Sequence, residues 1–354
     1  MSHAGPSARD VAAFTSLSVA ARKPRATSVR RSFLLWTAVE QRKAREMEAW
    51  CAGAGASIGA DGPYADSLVR ALAAVSTEAA LAATDAEITK DLKRTFPWLA
   101  SYAEREAATR RVLLAFATRN PSIGYCQSLN YIVAALLLIP VEEADAFYAL
   151  CTLVEELMPA DYYSAATDIL GARVDQLTFT SVLRVRMPEL ARHLAALDCP
   201  ISLFTIGWFM PLYAKDLPLA VALRVWDVLF VYGDTTLFAV GLALLKMAEP
   251  RLLACATLEQ LYEVLKTIGG AMHERDSEAA QRLLLLVMEG LMCSPLADFI
   301  ATERERHRAN LCRDAALAAA DAGASGDAHS DANGDDGDDH ADCGGGYHGA
   351  GDAD

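Results

Sequence analysis

The chain has 354 residues and is 53% hydrophobic, enough for a sizeable core in one large domain or two. Its formal net charge is −14, yet ten of its 46 acidic residues are aspartates within 321–354, a stretch with no Lys, Arg or Glu. The other 36 nearly balance 32 Lys and Arg, so the basic face that nucleic acid requires is not evident.

In chain order, residues 1–27 are rich in Ala, Ser and Arg with only Asp10 acidic, and read as a disordered arm. Asp10 and weak amphipathicity argue against a transit peptide. A first helix is predicted over Val29–Trp50, followed by a Gly/Ala-rich loop from Cys51. From there helical patterns follow one another over 65–74, 78–95, 101–118, 124–139, 143–157, 172–186 and 188–197. They continue over 202–214, 217–231, 234–247, 257–268, 276–292 and 296–318. Asn120-Pro121, Pro140, Pro159, Pro200, Pro218, Gly233-Asp234, Pro250 and Gly269-Gly270 punctuate them. Strand signals are scarce and no repeat period is found, so the expected fold is an irregular all-α globule. Residues 321–354 read as a disordered acidic Gly/Asp/His tail. Within it, Asp331–Asp342 starts like a calcium loop but has Asp336 where the sharp turn needs Gly and Asp342 where a bidentate Glu belongs. The tail's His329, His340, His348 and Cys343 make no convincing metal site, and none is expected elsewhere.

The eight Cys include no C-x-x-C pair and fall mostly in apolar helical stretches, which fits free thiols in a reducing compartment. The longest clean apolar run, Tyr131–Pro140, is too short to cross a bilayer. A cytoplasmic location is expected.

Three stretches carry unusual residues. In Glu87–Leu99, EITKDLKRTFPWL, Ile88, Leu92 and Phe96 make one apolar stripe. Asp91 and Arg94 are three apart and share a helix face just before Pro97. They read either as a surface ion pair or as an arginine braced to meet a phosphate. In Asn120–Leu138, Tyr125, Gln127 and Asn130 stand at the mouth of a helix apolar enough to be buried. Gln127 is expected in the first helical turn, where anions are favoured. Either these polar groups satisfy neighbouring backbone, or they have a task. In Ile201–Leu245, Trp208, Phe209, Trp226 and Phe230 are bulky anchors and Arg224–Asp227 an internal ion pair. No G-x-x-x-x-G-K-[ST], G-x-S-x-G or H-E-x-x-H is present, so the chain offers an arginine and a glutamine without a nucleophile, base or metal of its own.

The motifs I-x-x-D-x-x-R-T-F-P (Ile88–Pro97), Y-C-Q-x-x-N (Tyr125–Asn130), W-F-x-x-x-[FY] (Trp208–Tyr213) and R-V-W-D (Arg224–Asp227) stand in that order, with Gly233-Asp234 after them. The chain thereby resembles the TBC (Tre-2/Bub2/Cdc16) domain of Rab GTPase-activating proteins over about Arg30–Phe299. The resemblance implies an irregular V-shaped pair of helical subdomains within 28–312, with a Rab GTPase in the cleft. It implies Arg94 as an arginine finger and Gln127 as a glutamine finger, both given in trans to complete the GTPase's own active site. Asp91, Tyr125 and Asn130 are implied as supports, and Thr95, Phe96, Ser128 and Trp208 as partner-binding residues. GTP and Mg²⁺ would come with the GTP-bound partner, with no cofactor held by this chain and no substrate chemistry of its own. Membrane contact would be indirect, through the lipidated GTPase, giving a peripheral place on endomembranes. Ser128 stands where the family more often has Gly, and tolerance is expected because it is small. A non-catalytic Rab-binding adaptor and a helical scaffold remain as alternatives.

Overall fold

The computed structural model describes residues 33–54, 62–270, 272, 277–292 and 296–326. The 1–27 arm, the 327–354 part of the tail and its calcium-like loop lie outside the described residues. Among the described residues there are fifteen α-helices and no strand. They are α1 (Phe33–Ala54), α2 (Gly62–Val75), α3 (Ala79–Leu92), α4 (Ala100–Ala103), α5 (Glu106–Arg119), α6 (Leu129–Leu137), α7 (Glu143–Cys151) and α8 (Leu170–Arg186). There follow α9 (Pro188–Ala196), α10 (Ser202–Phe209), α11 (Leu219–Tyr232), α12 (Thr235–Leu253), α13 (Leu258–Lys266), α14 (Glu278–Met292) and α15 (Leu296–Gly326).

Internal contacts divide the chain into Met1–Arg308 and Ala309–Asp354. In the first unit, α5 is a hub that packs against α2, α3, α6 and α7. Its run Val112–Ala117 is buried without interruption, so it lacks the wet face of an ordinary surface helix. α6 is likewise buried from Ile132 to Leu137. Further along, α12 packs on α11 and α14, and α8 on α10. Gly241 lets α12 approach α8: a Cβ there would lie 2.8 Å from the Phe179 ring. Of the second unit, Ala309–Gly326 continues as helix.

Several boundaries differ from expectation. The 101–118 pattern is two helices, because the chain turns at Glu104–Arg105. The 143–157 pattern ends in a π-helical turn over Thr152–Leu157. That turn carries Glu155, which accepts hydrogen bonds from Arg119 Nε (3.0 Å) and Asn120 Nδ2 (2.9 Å). α12 runs through Pro250 instead of stopping at 247, since a proline so close to the end interrupts only the last turn. α15 extends to Gly326, so Asp321–Gly326 are helical where disorder was expected. No single helix among the described residues is long and apolar enough to cross a membrane.

Candidate functional site

α3 stops at Leu92 for a local reason. Pro97 disfavours helical backbone at the residue before it, and Phe96 takes φ of +42° instead. A bulky residue there is strained, at a cost of about 1–3 kcal/mol. Ring packing holds it: Phe96 is edge-on to Trp98, Tyr102 and Tyr131, with centroids 5.9, 6.1 and 5.3 Å away. Lys93 and Arg94 are thus left on a tight turn past the helix end. The turn closes through Arg94 N–H to the Asp91 carbonyl and Thr95 N–H to the Leu92 carbonyl, both 3.1 Å.

The second loop, Gly124–Ser128, precedes α6. Gln127 is therefore not in a first helical turn, as expected, but two residues before Leu129. The helix begins later because Ser128 has φ of +104°, a conformation that a helix cannot contain. The Asn130 side chain accepts from the Ser128 N–H at 2.9 Å and stabilises this entry.

The two loops are fastened to each other by side chains more than thirty residues apart. Tyr125 OH donates to Asp91 Oδ2 at 2.7 Å, while Arg94 Nη2 donates to Asp91 Oδ1 at 2.5 Å. One carboxylate thereby positions both an arginine and the start of the second loop. Asn130 Nδ2 donates to Thr95 Oγ1 at 2.7 Å, and Thr95 Oγ1 donates to the Asp91 carbonyl at 2.8 Å. Tyr131 OH donates to the Arg94 carbonyl at 3.2 Å. Asp91, Thr95 and Asn130 are buried, so these bonds are largely shielded from water.

Among the side chains that leave this clamp are Arg94, half exposed, and Gln127, exposed, with Lys93 and Trp98 exposed on the same turn as Arg94. The Arg94–Asp91 contact is too exposed on the arginine side to add much stability; its value is positional. A guanidinium has five N–H donors, and the bond to Asp91 uses one. Burial, then the bond to Asp91, pushes the Tyr125 phenol up, so it remains a donor at neutral pH. Burial also raises the Cys126 thiol to about 11, leaving it neutral beside Gln127. The Tyr131 phenol is pushed up chiefly by burial, against the Arg94 charge.

Asp91, Tyr125 and Asn130 are the residues whose side chains tie the two loops together. Three residues expected to face a partner do not. Thr95 and Phe96 are buried in the loop clamp, and Trp208 is 2% exposed, packed near Tyr213 and Phe204. Each covers apolar or hydrogen-bonded interior, so its side chain is unavailable to a partner. Ser128 is partly buried, and its contribution is backbone geometry. Arg224–Asp227 is the ion pair that the spacing suggested, at 3.2 Å. Tyr131 was missed as a support; its only signal is a phenol directly after Asn130 at the head of an apolar run. Among the described residues, no three His, Cys, Asp or Glu side chains gather as a metal would require.

The fold and site together define an all-helical domain that presents one arginine and one amide from two interlocked loops. The model of the Rab-GTPase-TBC domain matches residues 75–253, just over half of the chain, and that span holds both loops. The chain belongs to this family. It is 37% identical over 183 residues to a TBC domain-containing protein of Schizosaccharomyces pombe, covering 51% of this chain and 23% of that protein. It is 34% identical over 232 residues to Small G protein signaling modulator 3 of Bos taurus, covering 64% of this chain and 30% of that protein. The chain thus spans less than a third of these curated relatives. Among solved structures it is similar to the Chlamydomonas flagellar RabGAP TBC domain, with a TM-score of 0.57 and 25% identity over 79% of this chain and 90% of that one. The Ypt/Rab-GAP domain of Gyp1p shares the fold, with a TM-score of 0.53 and 16% identity over 72% of this chain and 80% of that one. The fold is the all-helical TBC fold.

Proposed function

We propose that this chain accelerates GTP hydrolysis by Rab-type GTPases, with Arg94 and Gln127 supplied in trans to the GTPase's nucleotide site. The observation that carries this reading is the interlock: two exposed side chains of complementary chemistry project from loops pinned through the shared carboxylate of Asp91.

As the bond to the γ-phosphate breaks, negative charge shifts over the β- and γ-phosphate oxygens. A planar guanidinium meets such oxygens in two directions at once. Because that charge develops on the way to the transition state, the contact is stronger there than in the ground state, which is the condition for catalysis. An arginine finger contributes on the order of 10³–10⁵ in rate. The amide of Gln127 can accept from the attacking water and donate to a phosphate oxygen, placing the water in line. Arg94 and Gln127 would be the catalytic groups, held by Asp91, Tyr125, Asn130 and Tyr131. In this reading GTP and Mg²⁺ arrive with the partner. The activating body is the helical region within 28–312, and the chain works in the cytoplasm, meeting endomembranes through the lipidated GTPase.

The test is GTP hydrolysis by a panel of purified Rab GTPases, with wild type, Arg94→Lys and Gln127→Ala. Lysine keeps the charge but loses the planar fork. Acceleration by wild type and near-background rates with either variant are expected. Binding without acceleration would make the chain an adaptor; neither binding nor acceleration would leave a scaffold.

A further inference from the structure

We infer that Trp98 is the apolar anchor by which this chain grips its GTPase, a specificity-determining residue distinct from the two fingers; the inference rests on the reading above. Trp98 is 65% exposed, whereas Trp208 and Trp226 are buried. Most of an indole standing in water is unfavourable for the free chain, and aromatic side chains of this kind dominate binding energy where they become covered. Its place is what singles it out. It lies in the same turn as Arg94, four residues on, past Pro97. One side rests edge-on against Phe96, whose ring is fixed by Tyr102 and Tyr131. Pro97 restricts the backbone just before it. The indole is therefore held at a set offset from the guanidinium, with little entropy left to lose on docking. Any protein whose phosphates receive Arg94 must bring its surface against this turn. The occupant is the GTPase itself, through an apolar patch beside its nucleotide pocket. GTPases lacking that patch would be discriminated against in binding rather than in chemistry.

The experiment uses the full chain, with wild type, Trp98→Ala, Trp98→Phe and, as a control, Tyr262→Ala, an exposed aromatic on α13. Thermal unfolding first checks that each variant is folded. Two readouts follow on a Rab panel: single-turnover hydrolysis at increasing activator, and direct binding to GTPases loaded with a non-hydrolysable GTP analogue. Trp98→Ala should raise the half-saturating concentration about 10- to 100-fold, with the saturating rate within about twofold of wild type. Trp98→Phe should fall between, and Tyr262→Ala should match wild type. Unchanged half-saturation and binding in Trp98→Ala would overturn the inference. So would a lower saturating rate at unchanged half-saturation, since Trp98 would then act only by bracing Phe96. Wild type that binds a GTPase without accelerating it would sink the proposed activity alone, and the binding arm would still decide the anchor. Wild type that binds none of the panel would overturn both.

Discussion

At the scale of single residues, the site depends on carboxylate and amide groups that each serve two partners. Asp91 holds Arg94 with one oxygen and Tyr125 with the other. Tyr125→Phe deletes one of these bonds without changing shape. It leaves a buried carboxylate oxygen short of a donor, at a cost of about 1–3 kcal/mol. Stimulated hydrolysis should fall together with the unfolding midpoint. A loss of stability at full activity would show that the tether does not position Arg94. Ser128 is the second case. Its φ of +104° is one that glycine would adopt without strain. Ser128→Gly should leave stability within about 1 kcal/mol, since relief of strain is offset by a more flexible unfolded chain. Ser128→Val should lose more than about 1 kcal/mol and misplace Gln127. Denaturant titration beside activity assays separates the two effects.

At the scale of elements, the site is supported by a close fit between distant turns. The turn after α10 places both Leu212 and Tyr213 at positive φ, and Tyr213 OH reaches the Leu237 carbonyl of α12 at 2.8 Å. The same turn leads to Asp216, whose backbone carbonyl packs against Gly269 so closely that a Cβ there would collide with it. Asp216 is partly buried, and its Oδ2 is shut off from water without a hydrogen-bond partner. Burial pushes its carboxyl up from 3.8 to about 6, with Lys215 pulling the other way. A carboxyl whose pKa is raised by folding favours the folded state most below the unfolded value. That contribution is lost as pH rises through about 6. Asp216→Asn removes the titration. Relative to wild type, the variant should gain about 1–2 kcal/mol between pH 4 and pH 7.5. A difference in unfolding free energy that does not change over this range would refute the assignment.

At the scale of the whole molecule, residues far apart in the chain close the unit Met1–Arg308. Arg304 of α15 donates from Nε and Nη2 to Asp175 of α8, at 2.6 and 2.7 Å, and from Nη1 to Asp234 at 2.7 Å. Its guanidinium also lies over the Phe238 ring, 5.2 Å from the centroid. Asp175 is buried, and burial pushes its carboxyl up to about 6 despite Arg304. Arg304→Met would leave that carboxylate without its cation. Removing one partner of such a buried pair costs about 3–5 kcal/mol, and more at pH 8 than at pH 5, where Asp175 can take up a proton. Denaturant midpoints at both pH values check this. A small loss, equal at both, would mean that apolar contacts and not the ion pair hold α15 in place.

The sequence by itself determined the helical character of the chain, the burial of the run after Asn130, the family, and the residues worth watching. These are local properties: apolar period, helix-breaking residues and short motifs are all readable within a few turns. It also marked Arg224–Asp227 as an interior pair, because that pair lies in an apolar helix, whereas the exposure of Arg94 was decided by the fold. Tertiary structure alone decided which faces were covered. Thr95, Phe96 and Trp208 look like exposed motif residues, yet Asn130, Tyr131 and Tyr213 occupy the space in front of them or beside them. It also decided where Gln127 sits, because the start of α6 is set by the backbone at Ser128 and by the Asn130 bond across it. The link from Asp91 to Tyr125 spans 34 residues. No local pattern records such a pairing; it exists because α3, which leads into the first loop, packs against α5 and α6, which flank the second.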